Sequence, residues 1–289
     1  TKAVGDTVTF TVVVTAVSDG GTLSYQWKKG LTDISGATSA TYSFTSTGVA
    51  DAGDYSVLVY NKISTGTSYV TSNAATLTMT KGNQSTLTVT STTGTYGTSL
   101  TLTSSGGTVS GSVTYSTSTA GCTISSGVLT TTGALTCAVT ATMAGNTDYN
   151  NVSSTATNVV IAARPLTLTV GNQTTAFTGS SVSVTNSFTR TSGTLAGSDA
   201  ISGMTYTYTS GGGYNSTTPP TNAGTYTITG SVAVFSTGTA SNYDITYVTG
   251  TLTISGAVQT ISFTSTAPTN AKVAGSTYTI TATGGASGN

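Results

Sequence analysis

A short motif recurs four times along the chain and constrains its fold more than any other feature. Each copy is a glycine, two small polar residues and then a stretch in which apolar residues alternate with threonine or serine. Such alternation is typical of a half-buried β-strand, which turns one face toward a core and the other toward water. The copies begin at Gly5, Gly97, Gly179 and Gly275, and in the first copy the alternation turns Val8, Phe10 and Val12 toward the core.

The spacing of the motif predicts a string of similar small domains. By subtraction of the glycine numbers, successive copies start 92, 82 and 96 residues apart. This is too far for one coil of a solenoid and suits one small β domain for each copy. We divide the chain at 1–80, 82–162, 164–256 and 257–289, which are the first, second and third blocks and the terminal stretch. The linkers at their boundaries are short, at Lys81-Gly-Asn83, Ala162-Ala-Arg164 and Ser255-Gly-Ala257, so we expect a stiff, extended array.

The composition supports strands and removes most catalytic chemistry. Only 6% of the residues are charged, the net charge is zero, and the chain has neither histidine nor glutamate. Threonine is β-branched and suits strands, whereas a histidine-dependent triad or metal site is excluded. Asp51 and Asp54 are the closest pair of carboxylates, and at such a turn aspartate ordinarily caps the backbone. We predict no enzyme activity, cofactor or metal, and a carbonyl-rich calcium site near Asp51 or Asp199 is the alternative.

The partners are also restricted by composition. The scattered charges form no basic stripe, which argues against nucleic-acid binding. No apolar run approaches the 18 or more residues of a membrane helix, so we expect no membrane insertion within this sequence. The expected partners are neighbouring repeats of a longer chain, with self-association and surface glycans as further candidates.

The first block carries two aromatic landmarks. Trp27 lies in Leu23-Ser-Tyr-Gln-Trp27, and Tyr55 follows Asp51-Ala-Gly-Asp. These residues resemble an immunoglobulin-like domain, in which a tryptophan is buried on strand C and a tyrosine corner opens strand F. The resemblance places Val12 and Val57 where that family often has its disulfide, so the core is expected to hold by packing around Trp27 alone.

The second block contains both cysteines of the chain. Cys137 stands at the strand-F cysteine position of the immunoglobulin-like pattern, but its strand-B counterpart is Ser104, so the usual bridge is excluded. The spacing of Cys122 and Cys137, followed by Gly145-Asn-Thr-Asp-Tyr149, resembles bacterial immunoglobulin-like repeats of large secreted proteins. We predict a Cys122–Cys137 disulfide, which implies an oxidising compartment, and two buried free thiols are the alternative.

The rest of the chain repeats these landmarks. Tyr226 in the third block repeats the strand-F pattern, and the end of that block resembles a β-sandwich repeat of giant bacterial adhesins. The terminal stretch resembles the opening of the second block, with Gln259-Thr-Ile-Ser-Phe263 against Gln84-Ser-Thr-Leu87 and Gly284-Gly285 against Gly106-Gly107. We interpret it as the truncated start of a further repeat in a longer protein.

These observations predict tandem immunoglobulin-like β-sandwiches in the stalk of a large secreted protein of the bacterial cell surface, such as an adhesin. One alternative is a subunit of a self-assembling extracellular filament or sheath, since low net charge weakens self-repulsion. Another is a carbohydrate-binding accessory region of a secreted enzyme. For that reading Tyr206, Tyr208 and Tyr214 are the best aromatic group, although Tyr206 and Tyr208 could equally share one face of a strand.

Overall fold

The computed structural model of the chain consists of β-strands, turns and two short 3-10 turns, Val49–Asp51 and Ala240–Asn242. No α-helix occurs among the residues that it describes, which are 1–15, 20–182, 185, 187–269, 273–274 and 277–284. The chain is therefore all-β, and its fold class is the tandem immunoglobulin-like β-sandwich.

The chain divides into two compact units. One comprises Thr1–Gly94 and Ser99–Ile161, and the other Thr95–Thr98 and Ala162–Asn289. The first unit thus holds nearly all of the first and second blocks. The boundaries of the four blocks themselves stay a prediction.

In the first block, the part that the structure describes (1–15 and 20–80) contains nine strands: β1 (Lys2–Ala3), β2 (Thr7–Thr11), β3 (Thr22–Lys29), β4 (Thr32–Asp33), β5 (Thr41–Thr45), β6 (Gly53–Ile63), β7 (Gly66–Thr71), β8 (Ala75–Leu77) and β9 (Met79–Thr80). β2 and β5 pair in one sheet, and a larger sheet has the order β4-β3-β6-β7, with β8 also paired to β6. Apolar residues of β2 and β5 pack against those of β3 and β6. The two sheets therefore face each other across a shared core.

The second block is built in the same way from ten strands: β10 (Leu87–Val89), β11 (Thr93–Thr95), β12 (Leu100–Thr101), β13 (Ser104–Gly106), β14 (Val113–Thr117), β15 (Cys122–Ser125), β16 (Val128–Thr131), β17 (Thr136–Met143), β18 (Val152–Ser153) and β19 (Thr157–Ala162). Its sheets are β10-β13, β12-β16-β15 and β11-β19-β17-β14, and β18 also pairs with β17. β17 alternates buried and half-buried residues along most of its length, as a strand at the centre of a sandwich does.

The described residues of the third block form eight strands: β20 (Arg164–Val170), β21 (Gln173–Ala176), β22 (Phe188–Ser192), β23 (Ala200–Thr209), β24 (Asn215–Ser216), β25 (Gly224–Thr237), β26 (Tyr243–Val248) and β27 (Gly250–Ser255). They form the sheets β22-β20-β26 and β21-β27-β25-β23-β24. The terminal stretch adds an antiparallel hairpin of β28 (Ile261–Phe263) and β29 (Ala282–Gly284). We call this pair the terminal hairpin.

The four motif copies differ in structure. The copy at Gly5 forms β2 as expected, whereas the copy at Gly97 is divided between β12 and β13, which belong to different sheets. In the copy at Gly179, no described residue lies in a strand. In the copy at Gly275, the described residues before Ala282 lie outside strands, and Ala282 opens the last strand of the chain. Residues 183–184, 186 and 275–276 of these two copies are outside the described part. Alternation makes a segment amphipathic, but a strand also requires a backbone partner, and that partner is set by the rest of the fold.

Candidate functional site

Trp27 lies buried at the centre of the first block. Its indole N–H donates to the carbonyl oxygen of Ser39 at 2.9 Å, which satisfies the one polar group of the side chain. Val57 is buried in the same cluster, and Val12 is half-buried against it. Apolar packing therefore fills the two positions at which the resemblance places a disulfide in related domains.

The core of the first block contains more than the tryptophan. The ring of Phe10 stacks on that of Tyr55 with centroids 4.6 Å apart, and Tyr42 stacks on Phe44 at 5.3 Å. Packing around Trp27 by itself was too narrow an expectation. Phe10 on β2 and Tyr42 and Phe44 on β5 lie at alternating positions, which is the pattern expected of residues on the core face of a strand.

Tyrosine hydroxyls fix the start of two long strands. The hydroxyl of Tyr55 donates to the carbonyl oxygen of Asp51 at 2.8 Å, and that of Tyr226 donates to Asn222 at 2.9 Å. Each bond spans four residues and ties β6 or β25 to the turn before it. Burial, followed by the charge of Asp51, raises the pKa of Tyr55.

A carboxylate of the second block holds a turn of the first. Oδ1 of Asp148 accepts a hydrogen bond from the backbone N–H of Val49 at 2.8 Å. Val49 opens a 3-10 turn whose first N–H groups have no partner within the turn, so the carboxylate caps it. No local sequence pattern marks this contact, because Val49 and Asp148 lie 99 residues apart in the chain.

The backbone around Asp148 is organised for this contact. Oδ1 of Asn146 accepts from the N–H groups of Asp148 and Tyr149 at 2.9 and 2.8 Å. The linker residue Gly82 donates to the carbonyl oxygen of Asp148 at 2.8 Å, and its own carbonyl accepts from Asn150 at 2.9 Å. The linker thus forms a β-bridge with the loop that carries the capping carboxylate.

Gly82 also lies close to the first block. A Cβ at this position would stand 2.4 Å from the carbonyl oxygen of Val4, which is far inside a van der Waals contact. The amino group of Lys81 donates to the carbonyl oxygen of Asn146. We call the contacts made by Lys81, Gly82 and Asp148 the junction.

The cysteines form a disulfide, Cys122–Cys137, with Cα atoms 6.1 Å apart. It joins β15 of one sheet to β17 of another, and Cys137 is fully buried. The prediction of this bridge is confirmed, and the alternative of two free thiols is wrong. At Ser104, where the bridge partner stands in related domains, the hydroxyl oxygen accepts from Tyr115 at 3.0 Å, with donor and acceptor interchangeable by rotation.

Asp199 is engaged by phenols in the second compact unit. Its Oδ2 accepts from the hydroxyl of Tyr243 at 2.6 Å and from that of Tyr96 at 3.1 Å. The Tyr243 oxygen in turn accepts from the N–H of Ala196 at 2.8 Å. Burial raises the pKa of Tyr243 to about 12, with further contributions from the bond to Asp199 and its charge.

The other aspartates considered from sequence bind the backbone or a hydroxyl. Asp51 Oδ2 accepts from the N–H of Thr47 at 2.9 Å, and Asp54 Oδ1 accepts from the hydroxyl of Thr76 at 2.6 Å. Within the described part of the chain, no three His, Cys, Asp or Glu side chains are grouped so that they could hold a metal ion.

The three tyrosines suggested for sugar binding do not form an exposed aromatic surface. Tyr208 is fully buried, and it lies two residues from Tyr206 on the same face of β23. Tyr214 packs edge-to-face against Tyr226 at 5.6 Å, and its hydroxyl donates to the carbonyl oxygen of Thr218. The carbohydrate-binding alternative therefore loses the residues on which it rested.

A bilayer-spanning helix is not found in the part of the chain that the structure describes, since no helix there has the necessary length and apolar character.

Comparison with known proteins finds similarity to solved structures alone. No protein-family model and no curated protein matches the chain. The three N-terminal domains of the outer capsid protein Hoc of bacteriophage RB49 are 13% identical over 87% of this chain and 95% of that one, with a TM-score of 0.25. Four N-terminal Ig domains of Dscam1 isoform 4.44 are 11% identical, over 89% and 73% of the two chains, with a TM-score of 0.27.

A third structure, murine CEACAM1b, is 15% identical over 55% of this chain and 94% of that one, with a TM-score of 0.23. These TM-scores are too low to carry an argument about function. The description of the fold therefore rests on the strand pairing, the core and the tyrosine bonds of the chain itself.

Proposed function

We propose that this chain is a spacer region of a large secreted protein of the bacterial cell surface, of the adhesin type. Its blocks would hold a binding region away from the surface to which the protein is attached. The observation that carries the proposal is the junction, because a spacer is useful only if consecutive blocks keep their orientation.

The junction restrains orientation through short bonds. Asp148 reaches one block from the next, and the linker is bonded to the same loop through Gly82. Since a flexible linker would leave these backbone groups to water, the bonds favour a stiff connection over a hinge. A carboxylate that caps a turn contributes about 1 kcal/mol.

Two further properties support a site outside the cytoplasm and a passive role. The Cys122–Cys137 disulfide would persist in an oxidising compartment. Asp51 and Asp148 accept hydrogen bonds from backbone N–H groups, and Asp199 accepts them from two phenols, so all three carboxylates hold structure in place.

The proposal is tested by the variant Asp148→Ala in the full chain. Residual dipolar couplings of the first two blocks should fit one alignment tensor in the unmodified protein. They should require two different tensors in the variant, because loss of the cap releases the turn at Val49. Asp33→Ala is the control, since Asp33 pairs with Lys28 inside the first block. Two tensors in the unmodified protein would contradict a stiff spacer.

A further inference from the structure

The side chain of Gln84 is a buried amide at the start of the second block. It is 8% exposed, although it follows the linker directly and precedes β10. A glutamine amide has an oxygen that can accept two hydrogen bonds and an NH2 group that can donate two. Burying these polar sites is costly unless each of them finds a partner.

Four backbone groups of the second block provide these partners. Nε2 of Gln84 donates to the carbonyl oxygen of Asn150 at 2.8 Å and, over a longer distance of 3.4 Å, to that of Ala144. Oε1 accepts from the N–H groups of Thr108 and Val109 at 3.2 and 3.3 Å. Carbonyl groups only accept and N–H groups only donate, so this set of partners requires a neutral amide in one orientation.

The two carbonyl partners mark the ends of the loop that carries Asp148. This loop lies between β17 and β18 and is closed on itself, since the N–H of Asn146 donates to the carbonyl oxygen of Tyr149 at 3.1 Å. It leaves no room for a side chain at Gly145, where a Cβ would lie 2.2 Å from the same carbonyl oxygen. Because the loop is so compact, the bonds at its two ends fix the position of the carboxylate between them.

The oxygen of the amide ties this loop to another part of the block. Thr108 and Val109 belong to the connection between β13 and β14. The same connection is also held from the backbone, because the N–H of Ser85 donates to the hydroxyl oxygen of Thr108 at 2.8 Å. Gln84 therefore joins three segments: the end of the linker, the connection between β13 and β14, and the loop that carries Asp148.

We propose that Gln84 is the positioning residue of the junction, because its amide places the loop so that the carboxylate of Asp148 meets the N–H of Val49. The four partners of the amide all lie in the second block, so Gln84 acts on the first block through Asp148. The proposal rests on the spacer function. It assigns the orientation of two blocks to a buried side chain of one of them.

Two substitutions separate the chemistry of Gln84 from its size. Gln84→Met keeps the length of the side chain and removes its hydrogen bonds. Gln84→Glu keeps the shape, but a carboxylate would face the carbonyl oxygens of Ala144 and Asn150, which can only accept. Either change should release the ends of the loop and, with them, the cap at Val49.

Hydrogen exchange of the Val49 N–H reports on the junction from the first block. In the full chain at neutral pH, this exchange should become about fivefold faster in each Gln84 variant and in Asp148→Ala, which is the factor expected for loss of a cap of ordinary strength. Residual dipolar couplings should still fit one alignment tensor within each block, whereas the two blocks should require different tensors. A role confined to the stability of the second block would leave both measurements unchanged.

Ser154→Ala is the matched control. Ser154 is another buried polar residue of the second block, and its hydroxyl oxygen accepts from the N–H of Ala141 at 2.9 Å, outside the loop. This variant should lower the stability of the second block and leave the exchange at Val49 unchanged.

Unchanged exchange at Val49 with one common tensor in both Gln84 variants would overturn the proposal. It would leave the spacer function standing, because Asp148 would still hold the junction. Two tensors in the unmodified protein would contradict the spacer function itself, and the role of Gln84 with it.

Discussion

A single tyrosine hydroxyl group stabilises the start of each of the two longest strands that the structure describes, β6 and β25. Tyr55 and Tyr226 each reach back four residues to a backbone carbonyl, so the strand and the preceding turn cannot separate without breaking the bond. Both tyrosines are buried, and an unpaired carbonyl beside them would be costly. In each case one hydroxyl oxygen fixes the position at which a strand begins, and that strand has eleven residues in β6 and fourteen in β25.

Removing that oxygen should destabilise each sandwich by about 1 kcal/mol, which is the net contribution of a hydrogen bond of this kind. We expect this loss for Tyr55→Phe and again for Tyr226→Phe, measured by chemical denaturation. Tyr69→Phe is the control, because Tyr69 is exposed on β7. If Tyr55→Phe cost no more than Tyr69→Phe, the bond to Asp51 would have no role in stability.

Among the elements, β15 and β17 are joined covalently as well as by packing. The disulfide closes a loop with a sequence separation of 15 residues inside the first compact unit. In the chain-entropy description, a loop of this length stabilises the folded state by about 3 kcal/mol. The Cys122–Cys137 bridge is therefore a large part of the stability of the second block.

Reduction of the disulfide should destabilise the first compact unit and leave the stability of the second unit unchanged. Calorimetry with and without a reductant should show a lower transition temperature for the first compact unit, with the second unit unchanged because it contains no cysteine. The double variant Cys122→Ala/Cys137→Ala should reproduce this shift without reductant. An equal shift of both units would refute an effect local to the bridge.

The elements also show what the sequence could predict. Alternation placed Val8 and Phe10 on the core side of β2, and the cysteine pattern led to the correct bridge. Other features depend on partners far along the chain. The capping of Val49 by Asp148 spans 99 residues, and no local pattern marks a loop aspartate as a cap for a distant turn. For the same reason alternation could not reveal that the copy at Gly97 is divided between two sheets.

For the whole molecule, stability should fall at strongly alkaline pH. The chain has no histidine, the side chain that ordinarily titrates near neutral pH, and both cysteines are bridged. Burial is the first cause of a raised pKa at Tyr42, Tyr55, Tyr96, Tyr206 and Tyr243. The shift is largest for Tyr243, whose pKa is raised to about 12 from an ordinary 10.0.

The direction of this change in stability follows from whether the folded or the unfolded chain holds the phenolic proton of Tyr243 more tightly. Above pH 10 the unfolded chain loses its phenolic protons while Tyr243 in the folded chain keeps its own until about pH 12. The stabilisation is therefore complete below pH 10 and is lost as the pH rises from 10 toward 12. Denaturant midpoints at pH 8, 10, 11 and 12 should fall only over the last steps and recover on return to pH 8. In Tyr243→Phe the second unit should lose less of its midpoint across this range. A fall that is complete by pH 10 would mean that buried phenols do not govern the alkaline limit.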